Sequence, residues 1–247
     1  MSEKTLRICH LYPDLLNLYG DRGNILCMRR RLEWRGIDAE VTEVTVGQQA
    51  DFTQFDLFFI GGGQDFEQEV LLSDLKAGKG SEIKAAIADG KTFLTICGGY
   101  QMLGSYYRTW DGKQCDFIGA IDYYTVGAKE RMISNTLFEC LPESGGSTVV
   151  GFENHSGKTY LGSGVSPLGK MLVGGGNNGE DGFEGVRYQN VFGTYSHGPV
   201  LPKNPAFCDH LLTTALRGRY PELELQPLDD AAERAAHDTM VQRLTEK

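Results

Sequence analysis

The chain lacks any apolar run approaching the roughly 20 residues a membrane-spanning helix needs; its most apolar stretches, such as Phe55–Ile60, are far shorter. The opening MSEKTLRICH has no apolar core and no small-residue cleavage site. A secretory leader is therefore not indicated, and a cytoplasmic location is expected. Basic charge is scarce: 24 Lys and Arg stand against 33 Asp and Glu, a net charge of -9. That balance argues against a bulk grip on nucleic-acid phosphates. The six cysteines (Cys9, Cys27, Cys97, Cys115, Cys140, Cys208) include no Cys-x-x-Cys pair. The five histidines stand at no metal-ligand spacing with cysteines or carboxylates, so no metal site is indicated. Without a secretion signal, reduced thiols are expected rather than disulfides. Internal repeats, heptads, low-complexity tracts and a Pro/Ser-rich linker are all missing. What remains is a 247-residue chain with 40% hydrophobic and 23% charged residues, enough to bury roughly 70–75% of its unfolded surface.

The first half alternates strand-type and helix-type patterns. Leu6–Leu11, Ala39–Val46, Phe55–Ile60 and Thr92–Ile96 read as strands, the last two nearly continuous in apolar character, as in strands covered on both faces. Asn24–Arg35, Glu67–Lys76, Ser81–Asp89 and Gly98–Tyr106 read as helices, with Gly36 and Gly90 as stops. This alternation predicts an α/β fold with a mostly parallel, doubly wound sheet. From Phe117 to Tyr195 the pattern becomes short strands broken by Gly/Asn-rich turns, predicting mixed or antiparallel sheet. Pro205–Leu216 and Asp229–Leu244 read as helices. The expectation is a single domain over 1–247, with a core at about 6–216 and a closing helix at 229–244.

Two motifs are decoys. Ser156-Gly157-Lys158-Thr159 ends like a phosphate-binding P-loop, but the required glycine would stand at 152, where Phe152 is found. The loop should also open a helix, whereas Thr159-Tyr160-Leu161 has strand character. Gly174-Gly175-Gly176-Asn177-Asn178-Gly179 is read as a loop.

The segment Leu94-Thr95-Ile96-Cys97-Gly98-Gly99-Tyr100-Gln101 carries chemistry. A buried strand ends at Cys97, two glycines follow and a helix begins, the geometry of a nucleophile elbow. N–H groups at a helix start favour thiolate over thiol. A thiolate nucleophile also needs a proton-transfer partner and an oxyanion hole. Gly61-Gly62-Gly63-Gln64-Asp65 caps an earlier buried strand, so it is expected along the same carboxyl edge of the sheet. Tyr195-Ser196-His197-Gly198-Pro199 ends another apolar strand and places His197 to face Cys97.

The ordered set resembles the class I, triad-type glutamine amidotransferases, and within them the cobyric acid synthase-like branch. It comprises Cys97 in Cys-Gly-Gly-Tyr-Gln, the Gly61–Gly63 loop, Tyr19-Gly20-Asp21-Arg22-Gly23-Asn24, Gly151-Phe152-Glu153-Asn154-His155 and Tyr195-Ser196-His197-Gly198. The likeness extends to glutaminase subunits that serve peptidoglycan synthesis. It implies hydrolysis of L-glutamine, with Cys97 as nucleophile and His197 as proton donor to the departing ammonia. It further implies Gly63 and Gly98 as oxyanion donors, Arg131 as the grip on the substrate carboxylate and Gln101 as a pocket-shaping residue. No cofactor is implied in this chain. Ammonia would pass to a MurT-like, Mur-ligase-type partner in a heterodimer, where ATP and Mg²⁺ are expected. The acceptor would be the α-carboxyl of D-glutamate in the lipid II stem peptide. Corrinoid amidation and a non-catalytic regulatory role are the alternatives. Two departures stand out: Thr95 occupies a position often held by glycine, and Pro199 stands where the acid that orients the histidine is usual. A weak Cys–His dyad, or an acid supplied by the partner, are the two readings of that gap.

Overall fold

A computed structural model describes residues 4–63 and 71–246. In chain order the elements are β1 (Thr5–Leu11), α1 (Arg22–Glu33), β2 (Asp38–Val44), β3 (Leu57–Ile60), α2 (Gly80–Ala88), β4 (Thr92–Ile96) and a single helical turn α3 (Gly98–Gln101). Then follow β5 (Tyr106–Arg108), β6 (Gln114–Asp116), β7 (Tyr123–Cys140), β8 (Thr148–Leu161), β9 (Gly169–Val173) and β10 (Phe183–Glu184). The chain closes with β11 (Val186–Tyr188), β12 (Val191–Thr194), α4 (Pro205–Arg217) and α5 (Ala231–Thr245). Among the described residues, no helix is long and apolar enough to cross a membrane.

The first sheet has the order β11-β12-β4-β3-β1-β2. From β12 to β2 every pairing is parallel, and only the edge strand β11 is antiparallel. β3, β4 and β12 are buried along their whole lengths, as their continuous apolar runs require. Edge strand β2 instead alternates with exposed polar positions. The expected doubly wound parallel sheet is thus observed. The expected helix Glu67–Lys76 lies partly outside the described residues; 71–74 are helical and run through a wider π turn, Leu75–Lys79, into α2.

The second sheet departs from the sequence expectation in strand length. It has the order β10-β9-β7-β5-β6, with β8 paired to β7. β7 and β8, of 18 and 14 residues, form one long antiparallel hairpin. Glycines inside these strands are packing positions. A Cβ at Gly151 would lie 2.7 Å from Ser196 Cβ, one at Gly127 would lie 2.6 Å from the Tyr107 hydroxyl, and one at Gly157 would strike the Gln101 amide. The helix expected over Gly98–Tyr106 stops at Gln101 because the chain is drawn into this sheet. Ser105 N–H donates to Tyr123 O at 2.7 Å, and Gly104 leaves room for the Tyr123 ring, 2.6 Å from where a Cβ would stand. Ser156–Thr159 lies within β8, which leaves no helix start for a P-loop.

Helices α1 and α4 and the segment leading to α5 are tied by a buried charge cluster. Arg31 meets Asp209 at 2.7 Å and Asp230 at 2.7 Å, and Arg35 meets Asp209 at 2.6 Å. The Arg31 side chain is only 3% exposed. Removing it leaves the Asp230 carboxylate without its arginine and Asp209 with Arg35 alone, so Arg31→Ala should destabilise the fold by about 3–5 kcal/mol. Urea denaturation checks this; a loss below about 1 kcal/mol would contradict it.

Candidate active site

Four neighbouring parallel strands, β12, β4, β3 and β1, end along one edge of the first sheet. The segments that follow them carry the candidate residues: His197 after β12, Cys97 after β4, Gly61–Gly63 after β3, and a loop reaching Asp21 after β1. Cys97 adopts φ 48°, ψ -106°, a region costly for a residue with a Cβ, by about 1–3 kcal/mol. Its N–H donates to Thr194 O at 2.8 Å, and Gly99 N–H donates to Gly61 O at 3.2 Å. These bonds tie the strained corner to the strand on either side. Gly99 has no space for a side chain, since a Cβ would lie 2.7 Å from both Ile60 O and Gly61 O.

His197 is fully buried, and its backbone N–H donates to Phe152 O at 2.8 Å, pinning the loop after β12 to β8. Its Nδ1 faces Asp21 Oδ2 at 3.5 Å. The same carboxylate oxygen accepts the Gly62 N–H at 2.7 Å. Glycine at 62 is what lets the groups converge. A Cβ there would sit 2.5 Å from His197 Cε1, 3.2 Å from Asp21 Oδ2 and 3.3 Å from Cys97 Cβ. Burial opposes charging of the ring, but the Asp21 carboxylate and the Cys97 sulfur outweigh it and hold the His197 pKa up at about 10. The arrangement favours an imidazolium facing the Cys97 sulfur, with Asp21 behind it.

A carboxylate of this same chain, Asp21, thus faces His197 Nδ1 at 3.5 Å, where Pro199 supplies none. Pro199 packs on Gly23, which leaves no room there for a Cβ, and Asp21 stands immediately before α1.

The other sequence candidates fall into two groups. Gly98 opens α3, so its N–H has no intrahelical partner. Gly63 follows the glycine whose N–H is engaged by Asp21, and it is half-buried. Gln64, Asp65, Phe66, Glu67 and Gln68 of that loop lie outside the described residues. Gln101 is buried, its Nε2 donating at 3.0 Å to the Tyr195 hydroxyl, which is 2.6 Å from Thr159 Oγ1. That bond steadies the turn after Cys97. Arg131 stands exposed where the β7–β8 register shifts between Gly127 and Met132. It borders a cavity of about 390 Å³ together with Lys129, Ser156 and Lys158, and its guanidinium is held by Asn154.

The chain belongs to the CobB/CobQ-like glutamine amidotransferase domain family, whose model matches residues 7–205. It is 42% identical over 238 residues to the lipid II isoglutaminyl synthase (glutamine-hydrolyzing) subunit GatD of Staphylococcus aureus, covering 96% of each chain. The subunit of the same name from Streptococcus pneumoniae is 41% identical over 227 residues, covering 91% of this chain and 86% of that one. Cobyric acid synthase of Clostridium botulinum is 33% identical over 162 residues, which is 62% of this chain and 32% of that protein. Among solved structures, PurLQS from Thermotoga maritima superposes with a TM-score of 0.55 at 18% identity, covering 88% of this chain and 99% of that chain. A glutamine amidotransferase from Thermotoga maritima gives a TM-score of 0.55 at 14% identity, covering 98% of this chain and 99% of that one. At these identities the structural likeness shows the fold, which is the class I glutamine amidotransferase architecture expected from the sequence.

The His197–Asp21 contact has a consequence for stability. The folded pKa is raised from 6.5 to about 10. The stabilisation is therefore complete below pH 6.5 and lost as the pH rises through about 10. Wild type should lose stability relative to Asp21→Asn between pH 6.5 and 10 in urea unfolding. A pH-independent difference would contradict the ion pair.

Proposed function

We propose that the chain is the glutaminase subunit of a cytoplasmic, two-chain lipid II isoglutaminyl synthase. Cys97 Sγ attacks the side-chain amide carbon of L-glutamine. The developing oxyanion is held by the N–H groups of Gly63 and Gly98. His197 protonates the leaving nitrogen as the C–N bond breaks, releasing ammonia and leaving a γ-glutamyl thioester on Cys97. His197 then takes a proton from water as the water attacks the thioester, releasing glutamate and restoring the thiolate. Asp21 fixes the ring so that Nε2 faces the sulfur and the substrate. Arg131 grips the substrate α-carboxylate, a role suited to a guanidinium fork.

The observation that carries this reading is the convergence of Cys97, His197 and Asp21 around Gly62, at the strand ends of an amidotransferase-family sheet. The extensive identity to two GatD subunits supports the narrower assignment. On that assignment ammonia passes to a MurT-like, Mur-ligase-type partner that binds ATP and Mg²⁺. The partner amidates the α-carboxyl of D-glutamate in the lipid II stem peptide to D-isoglutamine.

The test is glutamate release from L-glutamine, with and without the co-expressed ligase subunit. Release should fall to background in Cys97→Ala, and 6-diazo-5-oxo-norleucine should label Cys97 in the wild type. Amidated lipid II should appear only when both subunits, ATP and glutamine are present. Folded wild-type protein that neither releases glutamate nor takes the label would overturn the reading.

A further inference from the structure

Tyr19 is a bulky residue in an unfavourable place. It has φ 55°, is 42% exposed, and lies two residues before the acid that faces His197. Its ring meets the His197 ring edge-on, with centroids 5.0 Å apart, and also packs edge-on against Phe152 at 5.9 Å. Its hydroxyl oxygen accepts a hydrogen bond from Asn154 Nδ2 at 2.5 Å. Arg131 in turn donates from Nε to Asn154 Oδ1 at 2.7 Å and from Nη2 to Asn154 O at 2.7 Å.

This chain of contacts has only one polarity. A guanidinium can only donate, so Arg131 must face the carbonyl side of the Asn154 amide, and the NH₂ must face Tyr19. The Tyr19 oxygen is thereby the acceptor, which leaves its own proton for a further acceptor. Arg131, Asn154, Tyr19 and His197 form one continuous path from the exposed bulge of β7 to the buried ring at the sulfur.

We propose that Tyr19 is a positioning residue that joins capture of the substrate carboxylate to the catalytic histidine. This inference rests on the glutaminase reading. The carboxylate held by Arg131 accepts a hydrogen bond from the Tyr19 hydroxyl, while the Tyr19 ring walls the exposed side of His197. Asn154 sets the spacing between the two donors. The strained backbone at Tyr19 persists because the ring is held at both ends.

The two functions of the side chain separate by substitution. Tyr19→Phe keeps the ring and removes the hydroxyl, so KM for glutamine should rise roughly tenfold, the effect of one hydrogen bond to a charged group, with a smaller change in kcat. Asn154→Ala should do the same, and the double variant should be no worse than the poorer single one, because both act through one path. Tyr19→Leu removes the wall as well and should lower kcat in addition to raising KM. Tyr124→Phe, on the second sheet, serves as a control that leaves both constants unchanged. If wild type releases glutamate in a Cys97-dependent manner but the two single effects multiply in the double variant, the path is refuted and the glutaminase reading stands. The same holds if Tyr19→Phe leaves KM unchanged. If wild type releases none, both fall together.

Discussion

The contact between Asp21 and His197 is the constraint on which the rest of the site depends. A buried imidazole is ordinarily neutral, because burial penalises its charged form. Here a carboxylate that is itself fully buried stands 3.5 Å from Nδ1 and reverses that preference. The carboxylate is kept in place by the Gly62 amide, and the Gly62 position admits no side chain. Three chain segments thus meet at one glycine, and a methyl group there would push the acid, the histidine and the cysteine apart.

The second sheet serves this arrangement from the other side. Phe152 of β8 accepts the His197 backbone N–H, and Asn154, two residues on along the same strand, reaches Tyr19. Beneath the loop that carries His197, Glu184 accepts bonds from the Thr194 hydroxyl at 2.5 Å and the Tyr195 amide at 2.7 Å. Burial pushes that carboxyl up to about 7 against these bonds, so Glu184 is a structural clamp whose charge is marginal near neutral pH. Glu153 next door is held low instead, burial being outweighed by His155, Ser134 and the amides of Gly175 and Gly176. The Gly/Asn-rich loop at 174–179 therefore props the sheet. Asn177 receives the Tyr100 hydroxyl at 3.1 Å, and Tyr100 lies in the turn that follows Cys97.

Cys97, His197 and the Gly61–Gly63 loop were legible in the sequence because each follows an uninterrupted apolar run, and such runs mark the ends of strands in a parallel sheet. Asp21 was not legible in its role. It follows β1 only after a long loop, and its pairing with His197 is set by the β3–β1 adjacency rather than by any spacing along the chain. The motif around it, Tyr19 to Asn24, was visible as a pattern but without a function. The long β7–β8 hairpin was hidden for a different reason. Gly127, Gly151 and Gly157 interrupt the apolar pattern of these strands, yet each is a gap into which a side chain of another element fits.

The most direct test of a complete Cys–His–Asp arrangement within one chain is kcat for glutamine hydrolysis by Asp21→Asn, measured alone and with the ligase subunit. The account predicts a loss of roughly 100- to 10,000-fold in both settings, with the protein still folded. Wild-type rates for Asp21→Asn in the assembled complex would contradict it and return the orienting acid to the partner.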